Sequence, residues 1–347
     1  MMQHKKFLTI AAAGASIAML LAGCSSIGGD AGTGSANSSA APEDMTMVTV
    51  VKLTGIGWFD RMEEGVNAFA EETGIDARQD GGDDASPEKQ VAIIQNLIAQ
   101  APTAITVVPN SPEALESVLA DARAAGIIVV SHEAAGIKNV DADIEAFDNT
   151  WYGEQIMINL ADCMGGEGEY VSFVGGLTAK THMTWVEGAL AEQEANFPNL
   201  TRVEDPIESK EDETVAYERA KEVIAKHPNI KGFQGSAGTD VAGIARAVQE
   251  AGLQDDICVM GTSIPSVASK YLEDGSIDKI FFWDPALAGR AQLKIAQLLA
   301  QGDAVEEGTD LGIEGYNSLK KLAGFDNVFV GEAAVIVDKS NVADYNF

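Results

Sequence analysis

Positive charge is what this chain has least of. Its 347 residues carry 23 Lys and Arg against 53 Asp and Glu, a formal charge of −30. Phosphate backbones are bound through Lys and Arg, so nucleic-acid binding is excluded, and anionic lipid headgroups are repelled as well. Nucleotide and acyl-transfer signatures are also missing. Gly55-x-Gly57 follows a strand-like run, but Asp60 stands where a dinucleotide fingerprint needs its third glycine, with Arg61 after it. No Walker pattern is present, and Gly235-Ser236-Ala237-Gly238 has the wrong spacing for a nucleophile elbow. His132, Glu133 and His182 are too scattered to form a metal motif. No cofactor or metal is therefore expected. The longest-looking apolar run, Phe7 to Ala22, has 16 residues, too few for a membrane-spanning helix.

That run is instead a signal-peptide core, preceded by Lys5 and Lys6. It ends in Leu21-Ala22-Gly23-Cys24, which resembles a bacterial lipobox, with Cys24 as the lipidated residue. Residues 1–23 are then a leader, and removing its two lysines leaves 21 basic and 53 acidic residues, or −32. Residues 24–45 read as a lipidated flexible tether, since thirteen of the 20 residues from Ser25 to Asp44 are Ser, Gly or Ala. The expected location is extracytoplasmic, with the membrane reached only through the lipid. Of the two other cysteines, Cys163 lies in a helical pattern and Cys258 in a strand pattern, 95 residues apart. They are able to pair outside the cytoplasm, but without a wider cysteine framework two buried free thiols are the favoured expectation.

Hydrophobic residues make up 46% of the chain, enough for a sizeable core. From Met47 onward, continuous apolar strands alternate with amphipathic helices. Val91, Ile94, Leu97 and Ile98 share one helical face, and Ser111-Pro112 opens the next helix as cap and first turn. The alternation runs through two successive units of similar size, so a parallel sheet covered on both faces is expected in each. Ligands of such sheets bind beyond the carboxyl ends of the strands. The residues found there are Lys52, Trp58, Phe59, Asn110, His132 and Glu133 in the first unit. The second offers Thr181, His182, Trp185, Ser236, Asp240, Thr262, Ser263 and Asp284.

Carboxylates, amides, hydroxyls and aromatic rings together suit a sugar. Charged groups hydrogen-bond its hydroxyls, and flat rings cover its C–H face. Some of these residues have plainer readings. Trp185 lies on an apolar helical stripe and is equally a core residue. Asp240 is equally a cap for the helix after it, and Asp148-Asn149 is favoured as a cap. Lys52 ends a buried strand, where an unpaired cation is costly, so function or an ion pair is expected. Glu133 and Asp284 show no capping role in the sequence and are read as ligand contacts.

The segments Lys52-Leu-Thr-Gly-Ile-Gly-Trp-Phe59, Val107-Val-Pro-Asn-Ser-Pro112, Gly261-Thr-Ser-Ile-Pro265, Phe282-Trp-Asp-Pro285 and Asn341-Val-Ala-Asp-Tyr-Asn-Phe347 resemble type I periplasmic sugar-binding proteins. The nearest branch is that of the autoinducer-2 and rhamnose receptors of ABC importers. The resemblance implies an α/β protein of two Rossmann-like, doubly wound parallel-sheet domains joined by a three-segment hinge. One lobe comprises residues 46–147 plus 285–307 and the other 148–284 plus 308–347. It further implies a monomer that closes on a small sugar and presents it to an ABC permease, with no reaction catalysed. Lys52 matches the receptors' Lys after the first strand, and Glu133 their Asp after the fourth. Thr181-His182 stands where they carry Asp-Gln, Ser236-Ala-Gly238 where they carry a Pro-Asp-Ala turn, and Asp284 at the polar position before the last helix. The changed pair at 181–182 fits a pentose, deoxyhexose or polyol as well as an autoinducer-2-like furanose. A sugar-sensing receptor for a kinase and a glycosidase-like enzyme using Glu133 and Asp284 are the alternatives.

Overall fold

A computed structural model of the protein describes residues 41–347. The leader, Cys24 and most of the expected tether lie outside the described residues. No helix among the described residues is long and apolar enough to cross a membrane.

The first half alternates strand and helix as the sequence predicts. It runs β1 (Thr46–Val51), α1 (Gly57–Thr73), β2 (Asp76–Gly81), α2 (Pro87–Ile98), β3 (Ala104–Val107), α3 (Pro112–Ala124), β4 (Ile128–His132) and β5 (Ala142–Glu145). Local chemistry sets these boundaries. Ser86 and Ser111 accept backbone N–H bonds at the starts of α2 and α3, each followed by a proline whose fixed φ suits the first turn. Gly74 ends α1 in the left-handed region at φ 75°.

The second half runs α4 (Asn149–Cys163), β6 (Gly168–Val174), α5 (Lys180–Asn196), β7 (Leu200–Arg202), β8 (Ile207–Glu208), α6 (Glu213–Lys226), β9 (Ile230–Gly235), α7 (Asp240–Ala251), β10 (Cys258–Thr262), α8 (Pro265–Asp274) and β11 (Lys279–Phe282). Then come α9 (Pro285–Gln301), β12 (Lys320–Lys321), β13 (Val328–Val330) and β14 (Val335–Val337).

Two sheets result. The first has the order β12-β13-β5-β4-β3-β1-β2, and the second β14-β11-β10-β9-β6-β7, with β8 also pairing β6. All pairings are parallel except β12 with β13 and β14 with β11. In each sheet the strand order reverses once, between β1 and β3 and between β6 and β9. A crevice for ligand opens at such a reversal.

The chain passes between the sheets three times, after β5, after β11 and between β13 and β14. Helix α9 returns to pack on β3 and β4 of the first sheet. Strands β12 and β13 also belong to the first sheet. Within 308–347, therefore, only β14 joins the second sheet, which corrects the expected allocation of that whole segment to the second lobe. A short edge pair carries too little periodicity to reveal which sheet it completes.

Cys163 and Cys258 form a disulfide, with Cα atoms 6.1 Å apart, joining the end of α4 to the start of β10. The expectation of two free thiols is overturned. Helix α4 packs on β9 and β10, and that packing brings the two ends together.

Candidate functional site

Both strand-order reversals deliver side chains into one narrow cavity between the halves, with about 10 Å³ of free space. The first half contributes Lys52 after β1, Trp58 and Phe59 at the start of α1, and Glu133 after β4. The second contributes His182 and Trp185 of α5, Ser236 and Gly238 after β9, Thr262 at the end of β10, Trp283 after β11, and Glu211.

Lys52 is the centre of this site. Its ammonium donates to Glu133 Oε2 at 2.7 Å and lies 3.3 Å from His182 Nε2 and 3.7 Å from Glu211 Oε1. Both the Lys52 and Glu133 side chains are 4% exposed. Burial works against the lysine's charge, but Glu133 and then Glu211 outweigh it and hold its pKa above the usual value. The strand end carrying Lys52 is fixed from behind. Gln90 donates to the carbonyls of Val51 and Val108, and Asn110 Nδ2 donates to the carbonyl of Lys52 at 2.8 Å. Glu133 adopts φ 58°, a left-handed backbone that a non-glycine residue holds only when its surroundings enforce it.

His182 is neutral, since burial and then the adjacent Lys52 cation push its pKa well below 6.5. The Gly175 N–H donates to its Nδ1 at 3.2 Å, so the ring proton sits on Nε2. Lys52 and His182 then face each other as two donors, 3.3 Å apart, with no acceptor between them. The acceptors around the cavity are carboxylates. Burial raises the Glu211 carboxyl to about pH 7 despite the opposing effect of Lys52. Ser236 Oγ is buried and has no hydrogen-bond partner among the described residues.

Aromatic rings form the apolar wall. Trp58 and Trp283 meet edge to face with centroids 4.7 Å apart, and Trp185 lies 5.9 Å from Trp283. Trp185 reaches the cavity because α4 and α5 pack backbone to backbone. A Cβ on Gly153 would stand 2.1 Å from the Trp185 carbonyl, so only glycine permits that approach. Its indole N–H donates to Asn149 at 2.7 Å, which makes Trp185 both core and cavity wall.

Several expected contacts do not line this cavity. His132 donates from Nδ1 to the Ile144 carbonyl at 2.6 Å and accepts from the Trp283 indole at 3.2 Å, so it orients Trp283. Asn110 uses its amide on Lys52, and Ser263 donates to the Gly238 carbonyl at 2.8 Å. Thr181 is buried with an unpartnered hydroxyl. Asp240 accepts the N–H groups of Ser236 and Ala237 at 3.0 and 2.8 Å, shaping the turn before α7. Asp148 caps α4, accepting from Thr150 and Trp151. Asp284 corrects the reading that denied it a cap. Its carboxylate accepts from Ala286 N–H at the start of α9 and holds Arg61 through two bonds of 2.9 and 2.7 Å. A carboxylate so engaged belongs to the frame of the fold. Two cavity residues were passed over in the sequence. Trp283 was noted only as the neighbour of Asp284. Glu211 follows β8, whose two residues are too short a strand to mark a strand end.

A family model described as periplasmic binding protein domain matches residues 47–304. The ribose import binding protein of Bacillus subtilis is 21% identical over 280 residues, 78% of this chain and 87% of the relative. The xylitol-binding protein of Mycolicibacterium smegmatis is 26% identical over 315 residues, 89% and 86% of the two chains. Among solved structures, LsrB from Clostridium saccharobutylicum in complex with AI-2 superposes with a TM-score of 0.81 at 20% identity, covering 87% of this chain and 100% of that one. A Clostridium phytofermentas ABC transporter solute-binding protein with bound L-rhamnose gives 0.79 at 21% identity, covering 87% and 98%. The chain belongs to the periplasmic binding protein domain family.

Proposed function

We propose that this protein is a lipid-anchored, extracytoplasmic binding protein of an ABC importer, and that it captures a small polyol, pentose or deoxyhexose between its two halves. One observation carries the reading. Lys52 and Glu133 from one half face His182, Glu211 and Ser236 from the other across an aromatic-walled cavity, where the Lys52 and His182 donors stand side by side and the Ser236 hydroxyl has no partner among the described residues. A hydroxyl group both donates and accepts, so a polyhydroxylated ligand satisfies both kinds of group at once. Relatives named for ribose, xylitol and allose support the same chemistry. The three crossings between sheets supply a hinge through which the halves open and close on the ligand. Lipid on Cys24 holds the acidic body at the membrane, and no reaction is catalysed.

A thermal-shift screen tests the proposal with xylitol, D-ribose, D-arabinose, D-allose, L-rhamnose and autoinducer-2. A ligand at a thousandfold excess over its Kd adds about 4 kcal/mol of stability and raises Tm by several degrees. Absence of any shift at millimolar concentrations across the panel overturns the sugar or polyol assignment. Turnover of a stabilising ligand overturns the non-catalytic one.

A further inference from the structure

Beyond its 3.7 Å approach to Lys52, Glu211 has no task in the unliganded protein that explains how carefully it is held. Its backbone sits at φ 58°, directly after Lys210 at φ 62°, two consecutive non-glycine residues in the left-handed region. Capping does not account for it, since the next residue, Asp212, caps α6. A slot is made for its side chain, because a Cβ on Gly175 would stand 2.3 Å from Glu211 Oε1. The side chain is 6% exposed, yet no hydrogen bond within 3.5 Å reaches its carboxylate among the described residues. Lys52 stands 3.7 Å away and is engaged by Glu133, and His182 Nδ1, 4.0 Å away, accepts from Gly175. Glu211 is also the one residue lining both the inner cavity and the larger outer cavity bordered by Ser86, Asn110 and Thr178. It forms the wall between them.

Resting on the polyol reading above, we propose that Glu211 is the specificity-determining carboxylate of the second half. It accepts hydroxyl hydrogens from the part of the ligand that lies beside the Lys52–Glu133 pair, toward the outer cavity. A buried acceptor aimed at a hydroxyl discriminates strongly against an analogue lacking that group, because the carboxylate is then left unpaired. The ligand therefore carries a free hydroxyl group at this position, and an analogue lacking it is rejected. The burial that lifts the Glu211 carboxyl toward neutral pH is consistent with a group awaiting a partner.

The experiment is calorimetric titration of wild type, Glu211→Gln and Gly175→Ala with xylitol, D-arabinose and the other members of the panel above, alongside the melting temperature of each unliganded protein. For whichever probe wild type binds, Glu211→Gln lowers affinity at least tenfold while the unliganded melting temperature stays level or rises. Gly175→Ala, which displaces the carboxylate without removing it, lowers affinity in the same direction. If that variant fails to fold, the near-isosteric Glu211→Gln still decides. Wild-type affinity in Glu211→Gln overturns this proposal and leaves the polyol reading standing. A lower unliganded melting temperature in Glu211→Gln also overturns it, since that marks a structural ion pair. Failure of wild type to bind any member of the panel overturns the polyol reading and this proposal with it.

Discussion

Replacing Glu211 with Gln should stabilise the unliganded protein, and only at neutral and alkaline pH. Burial raises this carboxyl from an ordinary 4.5 to about 7 in the folded state, the Lys52 cation notwithstanding. An acid with a raised folded pKa binds more protons folded than unfolded between those two values. Stability therefore falls as pH rises from 4.5 to 7, and the full cost applies above 7. At 1.36 kcal/mol per pKa unit the cost is roughly 3 kcal/mol. Gln has nearly the shape of the protonated acid and no proton to lose. The stability difference between variant and wild type should be near zero at pH 4.5. It should grow on the order of 1 kcal/mol per pH unit and level off near 3 kcal/mol above pH 7. All other titrating groups are common to both proteins and cancel unless they touch Glu211. Urea unfolding at pH 5, 6, 7 and 8 reads the difference directly, with tryptophan fluorescence as the signal, since three of the four tryptophans wall the cavity. A difference that does not change with pH, or a variant less stable at pH 8, refutes the argument, because the Lys52–Glu211 attraction would then outweigh the desolvation of the carboxylate.

Three further outcomes follow from the same geometry. Lys52→Met leaves Glu133 and Glu211 buried without their cation. It should cost about 3–5 kcal/mol at pH 8 and less at pH 5, where the Glu211 carboxyl is protonated, as read by urea unfolding at both pH values. The double change Cys163→Ala with Cys258→Ala opens a loop spanning 95 positions. It should lower stability by about 2–4 kcal/mol with ligand affinity unchanged, and a reductant should do the same to wild type. Asp284→Ala removes a helix cap and both bonds to Arg61. It should cost about 1–2 kcal/mol in stability and leave ligand affinity within twofold, whereas a tenfold loss in calorimetry would return Asp284 to the ligand site.

The alternation of strands and helices was legible because each element carries its own local signal. Ser111 and Pro112 start α3 where the capping pattern places them, and Ile94 and Leu97 of the anticipated face are buried. The rule that ligands meet strand ends then located a ring of positions, and the cavity lies within that ring. What the rule leaves open is which polar atoms at those positions remain free, because distant partners decide it. Asp284 is engaged by Arg61, 223 residues earlier, and His132 by Trp283, 151 residues later. Asn110 is engaged by the Lys52 carbonyl, and Ser263 by that of Gly238. No local pattern in the sequence encodes any of these pairings. The same limit hid the disulfide, since periodicity gives the face of α4 but not the strand whose start meets its end. Glu211 was hidden for a different reason, as the two-residue β8 that positions it is too short to show a period. A side chain becomes a candidate for ligand when its polar atoms survive this long-range pairing unused. By that criterion Ser236 and Glu211 stand out in the cavity beside the Lys52–Glu133 pair and His182, with Trp58, Trp185 and Trp283 as its walls.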